Sequence, residues 1–415
     1  MKIVLFCNNH EQYTFFRRCM SGLNTQGCDG IFLSHRLSVA IRARNHGFKV
    51  RLLSGKYYAG DGKLAYDANI AFEVRQGLLT LSEARSLVRR VEAFTHSFID
   101  EVCPDQIWFW DGCNLMRQTI AYVARQYNVK TLFFQLGNFP GKLFVDPLGV
   151  NVRSLYSKVS RFIEADNWVD WEKHRSWKEN YLAEKLRSHN IPQSSSLLHF
   201  NWSYLFDLFG FYVLGAVPNE RPRPITKLLN FFKGRFIRLR FDRIDNLPDG
   251  SFVLFPLQVN AGSQVLWNSN VGQLDAIRWV AKNAKSNNTL LVVKPHPVED
   301  DAAFLLALMK LKNEVGFLLV GGDLFQLLAR CNRVATLNST AGLEAMLIGK
   351  PTEILGNAHY SAFSEADLAF YIQCFLIEAD CFGSENFTEE QIRLILQRAD
   401  HSFYERFGVN RSLYQ

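Results

Sequence analysis

The stretch Val334-Ala335-Thr336-Leu337-Asn338-Ser339-Thr340-Ala341-Gly342-Leu343-Glu344-Ala345 has the form of a strand that ends in polar residues and opens at once into a helix. Ser339 or Thr340 can cap that helix. The unpaired N–H groups of its first turn then point out of the carboxyl end of the strand. With the helix dipole behind them they form a cradle for a phosphate. Gly342 would let a ligand approach the backbone, and Glu344 suits the first turn. Alone, the stretch also reads as any capped helix. The upstream run Leu291-Val292-Val293-Lys294-Pro295-His296-Pro297 changes that. Here a buried strand delivers a cation and an imidazole at its carboxyl end, in a turn stiffened by two prolines. Ligands of open α/β sheets bind at that edge, so Lys294 or His296 can meet a monophosphate or a diphosphate. A third polar loop, Phe255-Pro256-Leu257-Gln258-Val259-Asn260-Ala261-Gly262-Ser263-Gln264, suits the mouth of a cleft.

Elements of two kinds must position these residues. In the first 150 residues short apolar runs alternate with helical patterns. The runs Lys2–Cys7, Phe48–Leu53, Gln106–Trp110 and Lys130–Phe134 read as strands. Helical spacing covers the Leu37–Ala43 region, Ser82–Val102 and Met116–Tyr127. Residues 160–245 break the rhythm, polar and helical first, then aromatic and basic. It resumes with strands at Phe252–Phe255, Thr289–Val293, Phe317–Val320, Arg333–Leu337 and Pro351–Leu355. Helices at Gln273–Lys285, Ala302–Leu311, Leu324–Ala329 and Thr340–Ile348 separate them. The pattern predicts an α/β chain of two Rossmann-like halves. Facing each other across a cleft, such halves form the architecture called GT-B in glycosyltransferases, and doubly wound halves also occur in epimerases and binding proteins. The expected domains are 1–245, carrying the 160–245 insert, and 246–415.

Composition agrees. A chain of 415 residues, 48% hydrophobic and 21% charged, is folded and large enough for two domains. The net charge of +7 fits an acidic substrate, an anionic membrane face or nucleic acid, and ordinary solubility would also account for it. The 8 cysteines include no Cys-x-x-Cys pair, which argues against a zinc ribbon or a thioredoxin motif and fits a reducing cytoplasm. The apolar run Leu197–Val217 is interrupted by His199, Asn201 and Asp207, which argues against a spanning helix. Within Arg221–Arg243, Arg221, Arg223, Lys227, Lys233, Arg235, Arg238, Arg240 and Arg243 face a single acid, Asp242, with Phe231, Phe232, Phe236 and Phe241 interleaved. That pattern suits a peripheral contact with the inner face of the cytoplasmic membrane. A solvated face over an aromatic core would also produce it. No nucleic-acid motif is present.

Taken together, Gln258-Val259…Ser263-Gln264, Lys294-Pro295-His296-Pro297, Asn338-Ser339-Thr340-Ala341-Gly342 and Gly349-Lys350-Pro351…Gly356-Asn357-Ala358-His359-Tyr360 resemble the bacterial capsule polysaccharide biosynthesis family. Characterised members of that family transfer 3-deoxy-manno-octulosonic acid (Kdo) from its CMP donor. Gly137…Asp146-Pro147-Leu148-Gly149-Val150-Asn151 adds to the likeness, which covers most of 105–360. The resemblance implies a GT-B fold and a nucleotide-sugar donor held by Gln258, Lys294, His296, Asn338, Ser339, Thr340, Ala341 and Glu344. It also implies a lipid-linked saccharide acceptor, with an acceptor role for 1–245 and a nucleotide-sugar donor role for 246–415. Two positions depart from the family. Its Asp between Gln-Val and Ser-Gln is here Gly262, and its Glu before the first-half Gly is here Gln135. Neither Gly nor Gln can act as nucleophile or proton carrier. The expectation is therefore a glycosyltransferase of capsule or lipopolysaccharide synthesis with its base elsewhere, at His10, Asp111 or Asp146. No catalytic metal and no cofactor are expected, because a helix N-terminus and cations can neutralise a leaving phosphate. Two alternatives stay open: a retaining CMP-Kdo-dependent transferase with relocated carboxylates, and a non-catalytic nucleotide-binding subunit of a capsule assembly complex.

Overall fold

The computed structural model describes residues 1–54, 66–187, 203–217, 239–243, 245, 248–260, 262–400, 402–410 and 412. The chain forms two compact units. The first comprises Met1–Asn167, Ser196–Arg221 and Tyr371–Gln415, the second Trp168–Ser195 and Pro222–Phe370. The expected boundary at 245/246 is corrected in both directions. Part of the insert belongs to the second unit, and the C-terminal 45 or so residues return to the first.

The first unit runs β1 (Lys2–Phe6), α1 (His10–Thr25), β2 (Asp29–Ser34), α2 (Leu37–Asn45), β3 (Val50–Leu52), α3 (Leu81–Val102), β4 (Gln106–Trp110), α4 (Leu115–Gln126), β5 (Lys130–Leu136) and β6 (Lys142–Asp146). Helix starts are set by side-chain caps: Asn9 on α1, Asn114 on α4, and a Thr80–Glu83 capping box on α3. The expected strands β1, β3, β4 and β5 and helices α2, α3 and α4 are present. Helix α1 and strand β2 were not expected. Strand β2 opens with Asp29-Gly30, a turn signal, but Gly30 is there for packing: a Cβ on it would lie 2.5 Å from Met20 Sδ.

Helix α5 (Trp171–Arg187) belongs to the second unit and α6 (Ser203–Tyr212) to the first. The second unit continues through β7 (Phe252–Pro256), α7 (Gln273–Ser286), β8 (Leu290–Lys294), α8 (Ala302–Val315), β9 (Leu318–Leu319), α9 (Leu324–Arg330), β10 (Arg333–Thr336), α10 (Thr340–Leu347) and β11 (Thr352–Ile354). The chain then returns to the first unit with β12 (Ile377–Glu378) and α11 (Glu389–Arg398).

The second sheet has the order β11-β10-β7-β8-β9, all parallel. The first has the order β12-β6-β5-β4-β1-β2-β3, parallel from β5 to β3, with β6 and β12 added antiparallel. Both parallel cores are doubly wound, with a switch point beside their first strand: β1/β4 in one, β7/β10 in the other. The two Rossmann-like halves are thus present. Period-2 burial explains the two-sided cover. Val253 and Phe255 of β7 join one apolar cluster, and Phe252 and Leu254 join another.

Among the described residues, no helix is long and apolar enough to cross a membrane. Asp207, inside the apolar run, is buried and caps α2 by accepting from Ser38 N at 2.9 Å. Arg221, Arg223, Lys227, Lys233, Arg235 and Arg238 lie outside the described residues.

Candidate functional site

Strands β7, β8, β9 and β10 all present their carboxyl ends to one cavity of about 700 Å³ within the second unit. Pro256 and Leu257 follow β7, Lys294–Pro297 end β8, Gly322–Gln326 follow β9, and Ser339–Ala341 follow β10. Lys185 from α5 and Glu344 from α10 complete the wall. Of the expected donor residues, Lys294, His296, Ser339, Thr340, Ala341 and Glu344 line it.

Lys294 is the informative member. It is only 9% exposed, and no ion pair forms on its ammonium among the described residues. Burial lowers its pKa, partly opposed by Asp323. Half-buried His296 is lowered too, by burial first and by Lys294 second. An anion placed between them would favour the charged form of each. The His296 Nδ1 accepts from Val298 N at 3.4 Å, which orients the ring in its turn.

The helix start is more self-contained than expected. Ser339 Oγ accepts from Ala341 N at 3.2 Å, and Ser339 O accepts from Gly342 N at 2.9 Å. Part of the anticipated cradle is thereby filled by the chain, and Ser339 must leave its cap to release the Ala341 amide. Gly342 serves packing. A Cβ there would lie 2.8 Å from the Tyr360 hydroxyl, which donates to Ser339 O. Two expected donor residues stand behind the cavity. Asn338 Nδ2 donates to Asn268 O at 3.1 Å and Asn357 O at 3.3 Å, tying loops together. Gln258 is held through its backbone by the Gln273 amide, at 2.8 and 3.0 Å.

Glu344 is buried and accepts from Tyr181 Oη at 2.7 Å and Lys185 Nζ at 3.2 Å. That burial and the carboxylate push the Tyr181 hydroxyl's pKa up, keeping it a donor. Neither Tyr181 nor Lys185 was foreseen. The signal was present as Trp177, Tyr181 and Lys185 at four-residue spacing, one stripe of α5. Trp177 stacks on Tyr181 with centroids 5.3 Å apart.

The catalytic candidates all fall in the first unit. His10, the first residue of α1, places Nε2 3.1 Å from Ser38 Oγ, and its pKa is lowered by burial and then by Arg42. Asp111 ends β4 with φ +62°, a left-handed conformation uncommon for a side-chain-bearing residue. Its carboxylate accepts from Gly112 N, from Cys113 N at 3.0 Å and from Cys113 Sγ at 3.0 Å. Asp146 is withdrawn as a base. It is 0% exposed and accepts from five donors: the backbone N–H groups of Leu148, Gly149, Leu155 and Tyr156, and Tyr404 Oη. Its sequence motif marks a structural hub that fastens the returning C-terminal segment.

Both departures from the family pattern are built in. Gln135 Oε1 accepts from Asn151 Nδ2 at 2.9 Å. A Cβ on Gly262 would lie 2.9 Å from Val259 O, so an acid there requires the loop to shift.

Residues 233–364 match the family model described as capsule polysaccharide biosynthesis protein. Every expected donor-site residue falls inside that span. Protein FixF of Sinorhizobium fredii (strain NBRC 101917 / NGR234) is 24% identical over 295 residues, 69% of this chain and 58% of FixF. The capsule polysaccharide export protein KpsS of Escherichia coli is 30% identical over 128 residues, 28% of this chain and 33% of KpsS. The chain thus spans less than two thirds of the length of these curated relatives. Among solved structures, the beta Kdo 2,7 transferase of Thermosulfurimonas dismutans KpsC is similar, with a TM-score of 0.42 and 12% identity, covering 97% of this chain and 100% of that one. The span matched by the capsule polysaccharide biosynthesis model, residues 233–364, is the part of the chain in which the cation, the imidazole and the capped helix meet.

Proposed function

We propose that this protein is a glycosyltransferase of surface-polysaccharide synthesis that holds a nucleotide-sugar donor in the second unit's cavity. The observation that carries the reading is Lys294, only 9% exposed as a residue, whose ammonium forms no ion pair among the described residues and opens onto that cavity. A partly desolvated ammonium with no ion-pair partner gains from an anion placed beside it. The donor phosphate supplies that charge. As the glycosidic C–O bond breaks, negative charge grows on the leaving phosphate oxygen. Lys294, a His296 N–H and the start of α10 stabilise it there. His10 or Asp111 would take the proton from the acceptor hydroxyl, the acceptor being a lipid-linked saccharide or a glycan. The basic segment ending at Arg243 would hold the protein on an anionic cytoplasmic leaflet. Replacing Lys233, Arg235, Arg238 and Arg240 with Gln should then release it from anionic vesicles without changing nucleotide binding.

The direct test of the site is His296→Ala. It should weaken nucleotide binding by roughly 1.5–3 kcal/mol in calorimetry, the worth of a hydrogen bond to a charged group. Unchanged affinity would remove the site. A second reading, a nucleotide-binding subunit without turnover, is favoured by the absence of carboxylates at Gly262 and Gln135. A panel of nucleotide sugars separates the two by product formation. Kdo transfer appearing in the double variant Gly262→Asp, Gln135→Glu would instead indicate simple loss of that activity. The tight contact at Gly262 leads us to expect none.

A further inference from the structure

Phe241 belongs, by sequence, to the basic and aromatic segment expected at a membrane. In the fold it stands beside the donor cavity. Leu239 packs against the apolar cluster that includes Leu305 and Leu319. Asp242 is fixed three ways: its N–H donates to Leu319 O at 2.7 Å, and its carboxylate accepts from Lys312 Nζ at 2.5 Å and Leu319 N at 2.7 Å. Phe241 is therefore held between the packed Leu239, two residues before it, and the fixed Asp242, yet it remains 53% exposed. Its ring lies over Gly321, where an added Cβ would meet it at 3.4 Å.

A second cavity of about 390 Å³ opens beside that ring. It shares Lys294, Pro295, His296, Pro297 and Gly322 with the larger cavity, so the two meet between the turn after β8 and the loop after β9. Its remaining wall includes Leu239 and Leu305, with Glu299 as the acidic member. The Glu299 carboxylate accepts from Asn260 N at 2.6 Å and Asp301 N at 2.9 Å, which fixes it in place. The space is thus flanked by a held aromatic face and apolar side chains, and it is joined to the larger cavity at the turn that carries Lys294 and His296. A flat aromatic ring fits those surroundings. A sugar ring would leave hydroxyls against Leu239 and Leu305 without partners.

We propose that Phe241 is the stacking platform for the nucleobase of the molecule whose phosphate lies at Lys294. This rests on the donor-site reading and adds a base subsite to it. An exposed ring held rigid before binding loses little entropy when a base settles on it, and base–aromatic stacking tolerates any base.

The test is calorimetry of the full chain with CMP, UMP, GMP and inorganic pyrophosphate. Phe241→Ala should weaken the best-bound nucleotide by about 5- to 100-fold while leaving pyrophosphate within about twofold. Phe241→Trp should keep nucleotide affinity, and Lys294→Met should reduce both ligands. Nucleotide affinity unchanged in Phe241→Ala, but lost in Lys294→Met, overturns the platform and leaves the donor site standing. An equal loss of nucleotide and pyrophosphate in Phe241→Ala also overturns it, because the cavity itself has then been disturbed. No nucleotide binding by the unmodified protein overturns both readings.

Discussion

The two units present the same kind of edge and treat it differently. Each has a doubly wound parallel core, and each brings polar residues to the carboxyl ends of its strands. In the first unit those residues carry hydrogen bonds from the chain itself. Asp111 takes the amides of its own turn and His10 meets Ser38, while Asp146, which ends the antiparallel β6 toward the opposite edge, takes five donors. In the second unit a nearly buried ammonium forms no ion pair among the described residues and faces a cavity. Strand order supplies an edge. Which polar groups the fold leaves unsatisfied decides whether that edge takes a ligand.

This contrast can be broken most forcefully at Asp146. Asp146→Ala orphans several buried donors and should cost at least about 3 kcal/mol, read as a lower denaturant midpoint. A near-neutral result would show that Asp146 is not a structural hub of the first unit. The mirror variant is Lys294→Met. It should lower nucleotide affinity by roughly 1.5–3 kcal/mol, and stability should stay level or rise because an unpaired buried charge is removed. A clear loss of stability would mean that Lys294 is structural, and the contrast would fail.

A smaller effect is expected where the second edge is shaped by packing. Gly342→Ala drives a Cβ against the Tyr360 hydroxyl and should destabilise by about 1–3 kcal/mol in thermal unfolding. Adding Tyr360→Phe should recover part of that loss, and strictly additive losses would contradict the steric account.

The gentlest lever is pH. Burial pushes both His35 and His359 down to about 3, well below the value of about 6.5 in an unfolded chain. Between those values the unfolded state binds more protons, so stability is full above about pH 6.5 and declines as pH falls. His296 is also lowered, but a bound anion raises it again. Nucleotide binding should therefore take up a proton and tighten modestly from about pH 7.5 to about 6. In His296→Gln that tightening should vanish. Mild acid is thus expected to loosen the fold while it strengthens the site. Calorimetry in two buffers of different ionisation heat reads the proton uptake directly.

Much of this was written locally. The alternation from Phe252 to Leu355 located the second sheet, and the strand-end positions of Lys294, His296 and Ser339 anticipated that they line one cavity, because a parallel strand followed by a helix can present its last residues only at the carboxyl edge. The family's signature lay in the same segment. Helix α1 and strand β2 escaped notice because Asp29-Gly30 mimics a turn, and only the approach of Met20 explains the glycine. The domain boundary escaped because residues 371–415 bind the first unit through contacts distant in sequence. Arg18, for instance, donates to Asp380 O at 2.7 Å.

What sequence alone determined, then, is the type of sheet, the strand ends that carry cation and imidazole, and the helix that starts beside them. These follow from periodicity, caps and chain direction, which act over a few residues. What tertiary structure decided is which polar groups were left over. Asp146 and Lys294 are both charged residues at strand ends, and nothing in their neighbours tells them apart. One meets Tyr404, 258 positions away, and disappears into hydrogen bonds. The other feels Asp323 only at a distance and forms no ion pair among the described residues, and a charge left without a close partner in a partly desolvated wall is what gives an anion reason to bind.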